Sequence, residues 1–172
     1  IMTSDYPRDL IGYGANPPDP KWPGGARLAI NFVINYEEGS EASIFDGDDR
    51  TETGLTESAS VLFVEGVRNR GAESMFEYGS RVGFWRLWRQ FEQRAMAVTV
   101  FGCAQALERN PEAAAAIAES GHDVCSHGWR WVEHYRLSED EERDHITRAV
   151  APLERTVGAR PPGWDCRYAP SA

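Results

Sequence analysis

Apolar residues fall along this chain in short unbroken runs, separated by longer stretches with helical spacing. LAINFVIN (28–35) is almost continuously apolar and β-branched, AVTVF (97–101) repeats the pattern, and HDVCSH (122–127) is a weaker third. Such runs predict strands buried on both faces, as in a parallel sheet. SASVLFVEGVRNRG (58–71) predicts a helix stopped at Gly71. RVGFWRLWRQFEQR (81–94) predicts an amphipathic helix with a broad aromatic face of Val82, Phe84, Trp85, Leu87, Trp88 and Phe91. Asn110 as N-cap and Pro111 as first helical residue open another helix, which ends at Gly121. Ser138 and Glu141 form a capping box for the last helix, whose stripe of Ile146, Ala149, Val150, Leu153 and Val157 stops before Gly158. Strands alternating with helices predict an α/β fold around a parallel sheet. Residues 1–26 carry ANPPDPKWPGGAR and no apolar period, which predicts an extended arm before one domain at 27–172. The acidic stretch 39–56 and the segment ESMFEYGSR (73–81) are expected as surface loops.

Composition narrows the class. The 172 residues suffice for one domain with a proper core, and 41% hydrophobic with 26% charged residues is ordinary for a globular protein. A net charge of −9 argues against nucleic acid or an anionic membrane as partner. No apolar run approaches the roughly 18–20 residues of a membrane span. Cys103, Cys125 and Cys166 are an odd set with no CxxC pair, which fits reduced thiols. With a polar N-terminus, IMTSDYPRD, these features make the cytoplasm the expected compartment.

Several groups are candidates for chemistry. Glu37 and Glu38 follow the first strand, where α/β folds place their sites. Adjacent strand residues face opposite sides, so the pair shares a cleft only if the strand has already ended. Two carboxylates held together poise a general base, and a solvated turn is the competing reading. His122, His127 and His134 crowd one segment, yet the position four after His127 is Trp131, which cannot bind metal. This spacing favours separate, partly buried histidines over a metal site. Trp129, Trp131 and Trp164 are either pocket wall or core. Arg160 and Arg167 in RPPGWDCRY, and Glu73, Tyr78, Ser80 and Arg81 in ESMFEYGSR, are candidate substrate contacts.

Taken together, these pieces resemble the polysaccharide deacetylase superfamily, whose NodB-like fold is a distorted (β/α) barrel. In that family an acidic pair follows the first strand, the first member acting as base and the second binding zinc. Glu37-Glu38-Gly39 matches, with glutamates for aspartates. A second motif supplies two histidine ligands four residues apart. His127 matches the first, and Trp131 stands in place of the second. Arg167 matches loosely an arginine of a third, Arg-Pro-rich motif. With a ligand deleted, the resemblance implies that the zinc position has been given up, so no metal and no cofactor are expected.

The phrases YPRDLIGYG, WPGGARLAINFVINYEEGSE, SMFEYGSRVGFWRL and GHDVCSHGWRWVE resemble a narrower branch, the metal-independent allantoinases of purine catabolism. That resemblance implies hydrolytic opening of the hydantoin ring of allantoin to allantoate. Glu37 would be the base, with Glu38 and His127 holding the water or relaying protons. Trp131 would stack on the ring and Arg167 would bind a carbonyl or ureido group, with Trp164, Tyr78 and Arg81 as further contacts. The long arm is suited to wrapping a second copy, so a homo-oligomer is expected. The chain ends at RYAPSA, inside the third motif and a little over halfway along a typical member. It is therefore expected to form only the N-terminal part of the barrel. The alternatives are a metal-dependent N-deacetylase of amino sugars, or an inactive half-barrel acting as a scaffold.

Overall fold

The computed structural model describes residues 7–57 and 64–171. The chain divides into two compact units, residues 1–30 and 31–172. Within the first, the described residues form one short 3-10 turn at Pro23–Gly25, and the Asp9 carboxylate accepts hydrogen bonds from the Ile11 and Gly12 amides.

The second unit is an α/β ladder. Strands β1 (Val33–Tyr36), β2 (Thr99–Gly102) and β3 (Asp123–Ser126) form a parallel sheet in the order β1-β2-β3. Helices α1 (Arg70–Tyr78) and α2 (Phe84–Gln93) lead from β1 to β2. Helices α3 (Ala104–Arg109) and α4 (Pro111–Ser120) lead from β2 to β3, and α5 (Glu139–Val157) follows β3. The register sets Asn35 beside Phe101 and Cys125, and Tyr36 beside Gly102 and Ser126.

Period two in the strands divides the sheet into two faces. Ile34, Tyr36 and Val100 are buried with Phe84, Trp88, Leu107, Ile117 and Leu153 in the core. Tyr36 meets Phe84 edge-on at 5.0 Å, and Phe84 meets Trp88 at 5.1 Å. Burial pushes the Tyr36 phenol up to about 12, although its oxygen accepts a hydrogen bond from the Asn110 side-chain amide. On the opposite face Val33 and Asn35 are exposed. The first strand is therefore shorter than LAINFVIN and covered on one side only, and residues 28–30 belong to the other unit.

Caps explain which elements follow the sequence pattern. Asn110 accepts from the Ala113 amide, and Gly121 closes α4 in the left-handed region. The Ser138–Glu141 capping box opens α5, and Gly158 closes it at φ +77°. The helix expected at 58–71 differs. Residues 58–63 lie outside the described residues, and 64–69 are turn and coil. Asn69 caps α1 through the Ala72 amide, so Gly71 sits in the first turn of a helix rather than ending one. ESMFEYGSR is correspondingly helical rather than a loop, and α1 continues through a π-helical turn, Gly79–Gly83, into α2. That turn adds a residue and shifts the helical phase. Phe84 and Trp88 face the core while Val82 and Leu87 stay exposed, a narrower apolar face than expected. Nor is 39–56 wholly a surface loop, because Ser40, Thr51 and Glu52 are buried. Among the described residues no helix is long and apolar enough to cross a membrane.

Candidate active site

The site forms at the C-terminal ends of the strands. The ladder runs one residue beyond each strand: the Cys103 amide donates to the Tyr36 carbonyl at 3.0 Å, and the His127 amide to the Gly102 carbonyl at 2.9 Å. Glu37, Cys103 and His127 are thereby set side by side. Burial pushes the Cys103 thiol well up, so it remains a neutral spacer.

Glu37 and His127 are in contact, with Glu37 Oε1 lying 3.0 Å from His127 Nε2. The Asn35 side-chain amide donates to the same oxygen at 2.9 Å. His127 Nδ1 lies 3.2 Å from the Asp165 carbonyl oxygen and 3.4 Å from its carboxylate. His127 is 5% exposed, so its ring is fixed between these partners. The chain turns at Gly39, whose φ of +97° favours glycine. Arg109 secures the turn by donating to the Gly39 carbonyl at 2.5 Å and by pairing with Asp46. The Trp131 amide also ties back to the turn, donating to the Ser40 carbonyl at 3.1 Å.

Glu38 takes the opposite direction. Its carboxylate accepts from the Glu37 amide at 3.3 Å and lies against Gly79. Burial raises its pKa, and the neighbouring Glu37 and Glu41 charges add to the rise. With Tyr78, Asn35 and Phe76 it lines a cavity of about 440 Å³ between β1 and the α1–α2 helices. Tyr78 accepts from Arg86 at 2.8 Å, whereas the exposed Arg81 pairs with Glu77 at 3.6 Å. Glu73 is engaged by Arg68 at 2.6 Å.

Trp131 and Arg167 form a third group. The guanidinium lies 3.7 Å above the centre of the indole ring and donates to buried Glu52 at 2.5 Å. Burial opposes ionisation of Glu52, yet the Arg167 and Gly54 hydrogen bonds hold its carboxyl below the usual range. Trp131, Arg167 and Glu52 border a cavity of about 210 Å³. Trp164 stands apart, its ring 5.4 Å from that of His134, whose Nδ1 meets Glu142 at 3.1 Å. Trp129 lies under Arg148 at 4.8 Å. The three tryptophans thus do not share a wall.

Residues 67–170 match the polysaccharide deacetylase family. The chain belongs to that family. It is 38% identical, over 91% of its length and 50% of the relative's, to a protein of Schizosaccharomyces pombe (strain 972 / ATCC 24843) provisionally named a polysaccharide deacetylase. The structure of Puue allantoinase superposes with a TM-score of 0.85 at 47% identity, over 93% of this chain and 53% of that one. A Pseudomonas aeruginosa PAO1 protein described as a probable polysaccharide deacetylase gives 0.85 at 48% identity, over 92% and 53%. The chain thus spans about half the length of these relatives. Its fold is the family's α/β fold with an incomplete parallel sheet, restricted to the N-terminal region as expected.

The zinc associated with the deacetylase fold needs several converging donors. In this member both ring nitrogens of His127 already face oxygens, and position 131 offers an indole covered by a guanidinium. His122 packs edge-on against Trp88 at 5.1 Å, and His134 is held by Glu142. Among the described residues no three His, Cys, Asp or Glu side chains are grouped to hold a metal ion. This donor set does not fit zinc.

The structure brings together Glu37 with His127, Glu38 with Tyr78, and Trp131 with Arg167. It places Glu38 against Gly79 and Arg81 on the surface. Three partners escaped the sequence reading: Asn35, Glu52 and Asp165. Period two along β1 would have pointed to Asn35, which shares a face with Glu37. No local signal marks Glu52, and Asp165 reaches His127 partly through its backbone carbonyl.

Proposed function

We propose that the protein is a hydrolase of amide C–N bonds in which Glu37 activates water and His127 protonates the leaving nitrogen. The observation that carries this is the 3.0 Å contact between Glu37 and His127, with Asp165 oxygens on the far side of the imidazole. The oxygens at both ring nitrogens hold the imidazole in one orientation, and a protonated imidazole is a competent acid. Water would lose a proton to Glu37 as its oxygen bonds to the carbonyl carbon. His127 would give its Nε2 proton to the nitrogen as the C–N bond breaks. Return of the proton gained by Glu37 to His127, carried by a water molecule, then restores both groups.

Two substrate classes suit this chemistry. For allantoin, opened to allantoate without a metal, support comes from the 47% identity to Puue allantoinase and from the indole at position 131. For an N-acetylated amino sugar, support comes from the family match and from the names of the yeast and Pseudomonas relatives, which weigh more among the comparisons. Our finer proposal is the cyclic amide, because the described residues do not group the donors that a zinc-dependent deacetylase needs. Arg167 and Trp131 would border the substrate, and a homo-oligomer in the cytoplasm belongs with this reading.

The test offers the protein allantoin and an N-acetylglucosamine oligomer, each with and without a strong chelator. Allantoate released despite chelation supports the proposal, while acetate released only without chelator supports the zinc deacetylase. A folded protein silent on both would be the scaffold. Glu37→Gln should lower turnover roughly 10²- to 10⁴-fold, the usual contribution of a general base.

A further inference from the structure

We propose that Asn35 is a positioning residue that decides which oxygen of Glu37 acts on water, an inference that rests on Glu37 being the base. Asn35 and Glu37 are two apart at the end of β1, so their side chains share a face. Asn35 Nδ2 lies 2.9 Å from Glu37 Oε1, and His127 Nε2 lies 3.0 Å from that same oxygen. Two donors at one carboxylate oxygen use up its two lone pairs. Among the described residues no hydrogen bond reaches Oε2 of Glu37, so Oε2 keeps the basic lone pairs. Asn35 fixes the carboxylate rotation in this sense from one side and His127 from the other.

Asn35 is exposed on the uncovered face of the sheet, outside the core. Its substitution therefore separates orientation of the carboxylate from folding. Packing and hydrogen bonding also predict opposite orders of damage. Aspartate is nearly isosteric with asparagine, so a packing role would make Asn35→Asp milder than Asn35→Ala. A donor role makes it harsher, because a second carboxylate would repel Glu37 instead of holding it.

Two measurements on the intact protein test this. In ¹H–¹⁵N spectra the Asn35 side-chain amide should shift on Glu37→Ala and stay in place on Glu38→Ala. In the hydrolysis assay Asn35→Ala should lower kcat roughly 10- to 100-fold, with KM within about twofold, and Asn35→Asp should fall lower still. An Asn35 amide indifferent to Glu37→Ala overturns the inference, as does wild-type kcat in Asn35→Ala or an aspartate variant as active as the alanine one. Wild-type turnover by Glu37→Gln would instead overturn the base assignment. If neither substrate is turned over, the amide signal alone decides whether Asn35 holds Glu37.

Discussion

Glu37 and His127 leave strands that are not neighbours, since β2 lies between β1 and β3, yet their side chains meet at 3.0 Å. Parallel register makes this possible by setting position 37 level with position 127 across Cys103. His127→Gln would keep a donor for Glu37 but remove the transferable proton. It is expected to lower kcat about 10²- to 10⁴-fold while the far-ultraviolet circular dichroism stays native. Undiminished turnover in a folded His127→Gln protein would remove the histidine from the mechanism.

Arg167 and Glu52 form a buried ion pair, their side chains 5% and 7% exposed. Removing one partner leaves the other charge buried and uncompensated, so Arg167→Met should cost about 3–5 kcal/mol in urea unfolding. The double variant with Glu52→Gln should recover much of that loss. The Glu52 carboxyl is held below its ordinary value of 4.5 in the fold. Its contribution is therefore full above that value and disappears as pH falls through the folded pKa. Glu52→Gln should flatten this part of the acid limb; an unchanged limb would mean that Arg167 does not stabilise the ionised form.

Legibility in the sequence followed where the causes lie. Helices α4 and α5 were readable because their determinants, Asn110 with Gly121 and Ser138 with Gly158, are local. Helix α1 is hard to phase from sequence because NRG offers two readings: Gly71 as a stop, or Asn69 as a start. The Asn69 side chain, accepting from the Ala72 amide, makes it a start. The acidic pair and His127 were visible, as was the tryptophan where a ligand would stand. Their grouping was not, because it depends on which way each side chain leaves the turn at Gly39. Glu52 lies in a stretch whose composition suggests a solvated loop, and its burial depends on Arg167, far along the chain, together with the Thr53 and Gly54 amides.

Glu38 carries the opposite pH signature. Burial raises its pKa above the ordinary 4.5, so the folded state binds its proton more tightly than the unfolded chain does. Stability from this group is full below 4.5 and falls as pH rises through the folded value. Glu38→Gln should therefore be more stable than wild type at neutral pH, with the difference vanishing in acid. Urea unfolding at pH 4 and pH 7 reads both; a variant less stable at pH 7 would show that the ionised carboxylate is stabilised in place.

The two glycines that bound the π-helical turn should respond differently to a methyl group. A Cβ on Gly83 would find the Tyr78 carbonyl at 3.6 Å, an ordinary contact. Gly83→Ala should therefore gain about 0.5–1 kcal/mol, the usual helical preference for alanine over glycine. A Cβ on Gly79 would run into Glu38, with its Cγ and Cδ at 2.8 Å and its Oε1 nearer still. Gly79→Ala must push that side chain out of its buried position and should lose the gain. Because the nearest atoms all belong to Glu38, Gly79→Ala combined with Glu38→Ala should regain stability relative to Gly79→Ala. Equal melting temperatures for Gly79→Ala and Gly83→Ala would mean that Glu38 yields freely and that its place against the helix is not fixed by packing.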